Sequence, residues 1–273
     1  MSDCVIGPVT AGPNRQLLLI AGPCAIEEPP INDLIAQTLR DACQSLGLSF
    51  IFKASFDKAN RSSIRSARGP GLRGGLDELL RIKREFQVPI TTDVHEPGQA
   101  AQTAEVADLL QVPAFLCRQT DLLTACAATG KPVNVKKGQF LSPAEMRHVI
   151  AKLREGGCEQ IMLTERGTFF GYHRLVNDFI GIGDLMDLGR PVCFDVTHST
   201  QLPGAAESST AGRPDRAALL ARAAVAAGVQ AVFVECHPEP ARSLSDASTM
   251  QPLEAMPKLL RQLVALRAAV QSA

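Results

Sequence analysis

From residue 17 onward the chain repeats one pattern: a short apolar run, a polar or glycine-rich loop, then a stretch whose apolar positions recur at helical spacing. The apolar runs predict strands at Leu17–Ala21, Ser49–Ala54, Ile90–Val94, Leu109–Val112, Val133–Lys136, Gln160–Thr164, Val192–Val196 and Ala231–Glu235. Helical patterns follow at about 31–46, 75–86, 98–107, 120–128, 143–155, 174–188, 214–227 and 252–270. Strands that alternate with helices pair in parallel through right-handed crossovers. Eight such units predict a (β/α)8 TIM barrel. An open doubly wound sheet would carry a glycine fingerprint after its first strand, and neither GxGxxG nor a Walker motif is present.

Caps agree with these boundaries. Ser142-Pro143 with Glu145 reads as a capping box with proline in the first turn, and Gly156-Gly157, Gly189 and Gly228 stand where helices should stop. Residues 1–16 read as a short N-terminal extension covering the barrel bottom, and Pro203–Asp215 as a mobile loop after the seventh strand. No linker interrupts the pattern, so residues 1–273 are expected to form a single barrel domain.

Composition narrows the function. Lys plus Arg and Asp plus Glu both number 28, so no basic excess suggests nucleic acid or an anionic membrane surface. The longest apolar run, Leu17 to Ile26, is too short to span a bilayer and is a poor secretory signal. The eight cysteines form no CxxC pair, as in a reduced, cytoplasmic protein.

In such a barrel the carboxyl ends of the strands face the active site. Those positions read Cys24, Lys53, Asp93, Arg118, Lys136, Arg166, His198 and Glu235. Lys53, Arg118, Lys136 and Arg166, with Lys58, Arg61 and Lys137 close behind, are cations concentrated in a net-neutral chain, which implies an anionic substrate. Cys24, His198 and Glu235 lie on strands that become neighbours when the barrel closes, and Asp246 in the following loop can add a fourth ligand. A thiolate, an imidazole and two carboxylates suit zinc, iron or manganese without choosing between them. Lys53 and Lys136 are also candidates for a Schiff base. Cys193 and Cys236 should alternate away from the site, His237 should point to the same side as Glu235, and His148 and His173 carry no expected role.

The segments LLLIAGPCAIE, FKASFDKANRSSIRSARGPG, TTDVHE, QVPAFLCRQTDL, NVKKGQF, TERGTFFGY, FDVTHSTQ and FVECHPEP with SDAS occur in that order. Together they resemble the 3-deoxy-D-manno-octulosonate 8-phosphate synthase family. KANRSS distinguishes that family from the heptulosonate 7-phosphate synthases, which share the barrel and phosphoenolpyruvate but carry a KPRTS-like segment there. The resemblance implies condensation of phosphoenolpyruvate with arabinose 5-phosphate, in the supply of Kdo for lipopolysaccharide. Cys24, Gly138 and Ser245-Asp246-Ala247 resemble the metal-dependent branch, which implies Cys24, His198, Glu235 and Asp246 as ligands of a divalent metal ion.

By the same likeness, Lys136, Arg166 and Arg118 hold the phosphoenolpyruvate phosphate, with Lys53 and Lys58 near its carboxylate and the reacting carbons. Asn60, Arg61 and Ser62 hold arabinose 5-phosphate, with Arg61 and Ser62 reaching a neighbouring subunit's site in a homotetramer. Asp93 contacts sugar hydroxyls or the metal shell, and Lys58 is favoured over Lys53 as donor to the forming alkoxide. The loop after strand 7 departs from the relatives, with Ala211-Gly212-Arg213-Pro214 where a GGxR pattern is common.

Overall fold

Alternation along each strand decides the architecture, because successive side chains face opposite sides of the sheet. The computed structural model describes residues 1–61, 64–204 and 211–272. Eight parallel strands run around it: β1 (Leu18–Gly22), β2 (Ser49–Lys53), β3 (Ile90–Asp93), β4 (Leu109–Val112), β5 (Val133–Lys136), β6 (Ile161–Glu165), β7 (Val192–Asp195) and β8 (Ala231–His237). Each pairs with the next, and β8 pairs both with β7 (Ala231 opposite Cys193) and with β1 (Ala231 opposite Leu18), which closes the barrel. The helices α1 (Pro29–Leu46), α2 (Gly71–Phe86), α3 (Ala100–Val106), α4 (Thr120–Ala127), α5 (Met146–Glu155), α6 (Phe179–Asp187), α7 (Ala217–Ala226) and α8 (Met256–Gln271) follow the strands in turn. This is the (β/α)8 barrel that the pattern predicts. Among the described residues, no helix is long and apolar enough to cross a membrane.

Two apolar layers hold the barrel. Outward residues such as Leu19, Phe52, Leu110, Val135, Leu163 and Phe194 pack under the helices. Inward residues Leu18, Ile20, Ile51, Leu109, Met162, Cys193, Ala231 and Phe233 fill the lower interior. An antiparallel hairpin of Cys4–Ile6 and Val9–Ala11 adds Cys4, Ile6 and Ala11 to that cluster, so the N-terminal extension covers the barrel bottom. Burying one such large apolar side chain stabilises by roughly 1.5–3 kcal/mol. The upper interior is polar, and there the site is built.

One helix is shorter than its pattern. The stretch 174–188 becomes helical only at Phe179, where the Asp178 carboxylate accepts the Ile180 N–H at 3.0 Å. Upstream, Thr168 bridges Val176 in antiparallel fashion, and Phe170, Tyr172 and His173 have φ values of 75, 50 and 58°. Those backbone angles cannot continue a right-handed helix. The 143–155 stretch begins with a single 3-10 turn, and its capping box is closed by Glu145, which accepts the Ser142 N–H at 2.9 Å.

Candidate active site and metal centre

The inward residues at the upper ends of β2, β3, β5, β7 and β8 are Lys53, Asp93, Lys136, Asp195 and Glu235, all buried. Placing ions there costs solvation, so each must find a partner. Lys53 Nζ donates to Glu235 Oε1, to Ser55 Oγ and to the Cys24 carbonyl, each at 3.0 Å, and lies 3.7 Å from Asp93 Oδ2. Burial works against its charge, but Glu235 and Asp93 outweigh it and hold the ammonium above its ordinary range. Ser55 donates to Asp93 Oδ2, and Gln111 donates to Asp93 Oδ1 at 2.6 Å. Gln111 in turn accepts from Asn134 at 3.2 Å, and Asn134 accepts from Thr164 at 2.7 Å, so a polar chain crosses the interior from β2 to β6.

A second group stands on the opposite wall. Lys136 Nζ donates to Asp195 Oδ2 at 2.7 Å and sits 3.8 Å above the Phe233 ring, a cation–π contact. Asp195 also holds His198: its Oδ1 accepts the His198 N–H at 2.9 Å and its Oδ2 lies 2.8 Å from Nδ1. Burial would raise Asp195, but His198 and Lys136 hold it well below the usual carboxylate range. Arg166 Nη2 donates to Gln201 at 2.6 Å, while its buried Nη1 has no partner among the described residues. A buried guanidinium with a free donor is suited to an incoming anion.

The third group collects metal-type donors. One ligand atom each from Cys24, Glu235 and Asp246 lie within 4.8 Å of one another. Cys24 reaches this position because Gly22 brings its turn hard against β2: a Cβ on Gly22 would lie 2.1 Å from the Lys53 carbonyl oxygen. Cys24 Sγ lies 2.9 Å from Asp246 Oδ2, which also accepts from Ser245 Oγ at 2.9 Å and stands 3.8 Å from Lys58 Nζ. His198 Nε2 stands 3.7 Å from Glu235 Oε2, a buried oxygen with no hydrogen-bond partner among the described residues. Burial, then Asp246 and Glu235, push the Cys24 thiol well above its usual range. Burial works against Lys58 as well, yet Cys24, Glu235, Asp246 and Asp93 raise it well above that of a free amine. A divalent cation would reverse the cost of gathering a thiol and carboxylates out of water.

Other expected residues are placed differently. Arg118 is exposed beyond the end of β4, where its backbone carbonyl accepts from Lys152, so it is not part of this buried cluster. Asn60 is exposed. Arg61 donates to Ser245 Oγ at 2.7 Å and to the Leu244 carbonyl at 2.8 Å, within its own chain and on the loop that carries Asp246. Ser62 lies outside the described residues, as do positions 205–210 of the loop after β7. Lys137 is buried against Glu165 at 3.4 Å and bonded to the Leu141 carbonyl at 3.1 Å, so it fixes loops.

Cys236 faces the helices, as alternation predicts. Cys193 packs inside the barrel instead, because it shares the parity of Asp195. His237 faces Glu27, and His148 and His173 are exposed. Asp195, Gln111, Asn134 and Thr164 escaped the sequence reading. The signal was present, since each lies an even number of residues from an inward-facing strand position.

A profile of the DAHP synthetase I family matches residues 3–272. Curated relatives cover nearly the whole chain. A Nitratidesulfovibrio vulgaris (strain DP4) protein is 54% identical over 91% of this chain and 91% of its own. One from Desulfotalea psychrophila is 48% identical over 96% and 94%, and one from Cyanothece sp. (strain PCC 7425) is 50% identical over 96% of each. All three are named 2-dehydro-3-deoxyphosphooctonate aldolase.

Proposed function

The chain belongs to the DAHP synthetase I family, and from that premise we propose that it condenses phosphoenolpyruvate with D-arabinose 5-phosphate and water, giving 3-deoxy-D-manno-octulosonate 8-phosphate and inorganic phosphate, in Kdo supply. The observation that carries the reading is the buried gathering of Lys53, Lys58, Lys136 and Arg166 beside Cys24, Glu235 and Asp246 at one end of the barrel. Two phosphorylated anions must meet for this reaction, and paired cations lower their repulsion while fixing the approach.

In the proposed assignment, Lys136 and Arg166 take the phosphoenolpyruvate phosphate from within the buried cluster, and Arg118 adds to them from the exposed rim. Arg166 Nη1 has a donor to spare, and Lys136 can exchange part of its bond to Asp195 for a phosphate oxygen. Lys53 and Lys58 stand by the carboxylate and the reacting carbons. Asn60, Arg61 and Ser62 take the aldose, and Asp93, oriented by Ser55 and Gln111, accepts from its hydroxyls. C3 of phosphoenolpyruvate attacks the aldehyde carbon, water adds to C2, and phosphate leaves with its bridging oxygen. Lys58, held protonated by the carboxylates around it, donates a hydrogen bond to the alkoxide as it forms.

Cys24, Glu235 and Asp246, whose donor atoms lie together, fit a divalent ion, and His198, with Nε2 3.7 Å from Glu235 Oε2, is the proposed fourth ligand; among the described residues Glu235 Oε2 has no hydrogen-bond partner. We propose zinc, iron or manganese, which would supply a fixed positive charge for orienting and polarising bound oxygen. A Schiff-base aldolase is disfavoured, because Lys53 spends its protons on three acceptors and is held charged by Glu235 and Asp93. The proposed setting is cytoplasmic, with eight free cysteines in support, and the proposed assembly a homotetramer with Arg61 and Ser62 at a subunit boundary. Sedimentation velocity reads the assembly.

Comparing arabinose 5-phosphate with erythrose 4-phosphate at equal phosphoenolpyruvate tests the substrate. Faster phosphate release with the pentose phosphate is expected, and preference for the tetrose would make the enzyme a heptulosonate synthase.

A further inference from the structure

Glu27 and His237 stand just outside the donor set and have no part in the reaction above. Glu27 follows Cys24 by three residues in the loop after β1, and His237 ends β8 two residues past Glu235. Both are buried. His237 Nδ1 accepts the Glu239 N–H at 2.9 Å, which leaves the ring proton on Nε2, and Nε2 faces Glu27 Oε1 at 3.8 Å. The same Glu27 oxygen accepts the Leu244 N–H at 2.8 Å and lies 3.5 Å from Ser243 Oγ. Ser243 donates onward to the Ser245 carbonyl at 2.9 Å, and Ser245 Oγ donates to Asp246 Oδ2 at 2.9 Å. Asp246 itself is held at φ 51°, a conformation that a non-glycine residue keeps only where its surroundings impose it.

We infer that Glu27 is a positioning residue for the metal centre: its carboxylate latches the loop carrying Asp246 to the loop carrying Cys24. The inference rests on the metal reading given above. Cys24 and Asp246 come from loops 222 residues apart, and Cys24 Sγ and Asp246 Oδ2 must arrive at a fixed separation. Among the described residues, Glu27 is the carboxylate that bonds the backbone of the Asp246 loop from the Cys24 side. Its own place in the chain does not depend on that carboxylate. The Glu27 N–H donates to Asn32 Oδ1 at 3.1 Å and the Glu27 carbonyl accepts from Asn32 Nδ2 at 2.7 Å, so the start of α1 survives a change of side chain. Residues that orient ligands in this way typically govern affinity by about 10–100-fold.

The test is cobalt(II) titration of metal-stripped full-length protein. Thiolate-to-cobalt absorption reports whether the Cys24 sulfur binds, and chelator competition reports affinity. Glu27→Ala is expected to weaken cobalt binding by about tenfold or more and to diminish the thiolate band. Glu27→Gln, which keeps an oxygen for the Leu244 N–H, is expected to recover most of both. If Glu27→Ala does not fold by circular dichroism, Glu27→Asp takes its place. That variant keeps the charge but withdraws it from Leu244, and it must lose affinity on the same scale. Wild-type affinity and an unchanged band in the variant that folds would overturn the latch. A wild-type protein with no thiolate band at all would overturn the metal reading as well, which separates the two failures.

Discussion

Asp195 illustrates what a single buried residue does in this interior. It is the shared partner of Lys136 and His198, so its loss strands a largely buried ammonium. Asp195→Ala is expected to cost about 3–5 kcal/mol in urea unfolding, with phosphate release falling alongside. Asp195→Asn, which retains an oxygen, should cost less. Cys24 poses a different question, whether the ion it is proposed to hold orients or polarises. If the ion serves mainly to orient, Cys24→Asn should keep substantial turnover in the presence of chelator. Complete loss would assign the ion an essential polarising role.

At the scale of elements, the turn after β1 is the tightest constraint on the site. A methyl group on Gly22 would collide with the Lys53 backbone, which no side-chain rotation relieves. Gly22→Ala is therefore expected to destabilise by about 1–3 kcal/mol or more and to displace Cys24, read as a lowered melting temperature together with lost metal retention.

Element existence was legible from periodicity, because each strand is a short run rich in apolar residues, closed in six of the eight by a polar residue at the rim. Less legible was the stretch before α6, whose composition suits a helix while the Thr168–Val176 bridge holds it extended. The candidate cations and candidate metal ligands stood out at or near strand ends by their chemistry. Their partners did not: Asp195 and the chain from Gln111 through Asn134 to Thr164 look ordinary in sequence, and alternation alone places them inside. Arg118 lies six residues past the end of β4 and is exposed, so proximity in sequence to a strand end did not bring it into the buried cluster.

At the scale of the whole molecule, the barrel separates two tasks. Its lower interior and helical jacket are apolar and hold the fold, while its upper interior concentrates ions. Burial opposes the charge on Asp93, Asp195, Glu235 and Asp246, yet neighbouring groups hold all four below the ordinary carboxylate range (Lys53 for Asp93 and Glu235, His198 and Lys136 for Asp195, Lys58 for Asp246). Carboxylates depressed in the folded state stabilise it above their unfolded values of about 4, and that stability is lost as pH falls through the folded values. Unfolding free energy should thus decline steeply with acid below about pH 4, measured by denaturant titration across pH.

The most direct measurement of the central claim is phosphate release from phosphoenolpyruvate with arabinose 5-phosphate, before and after chelation and with single metals restored. The account predicts release that depends on the pentose phosphate, falls on chelation and returns with zinc, iron or manganese. Release that ignores the pentose phosphate, or that chelation leaves untouched, would contradict it.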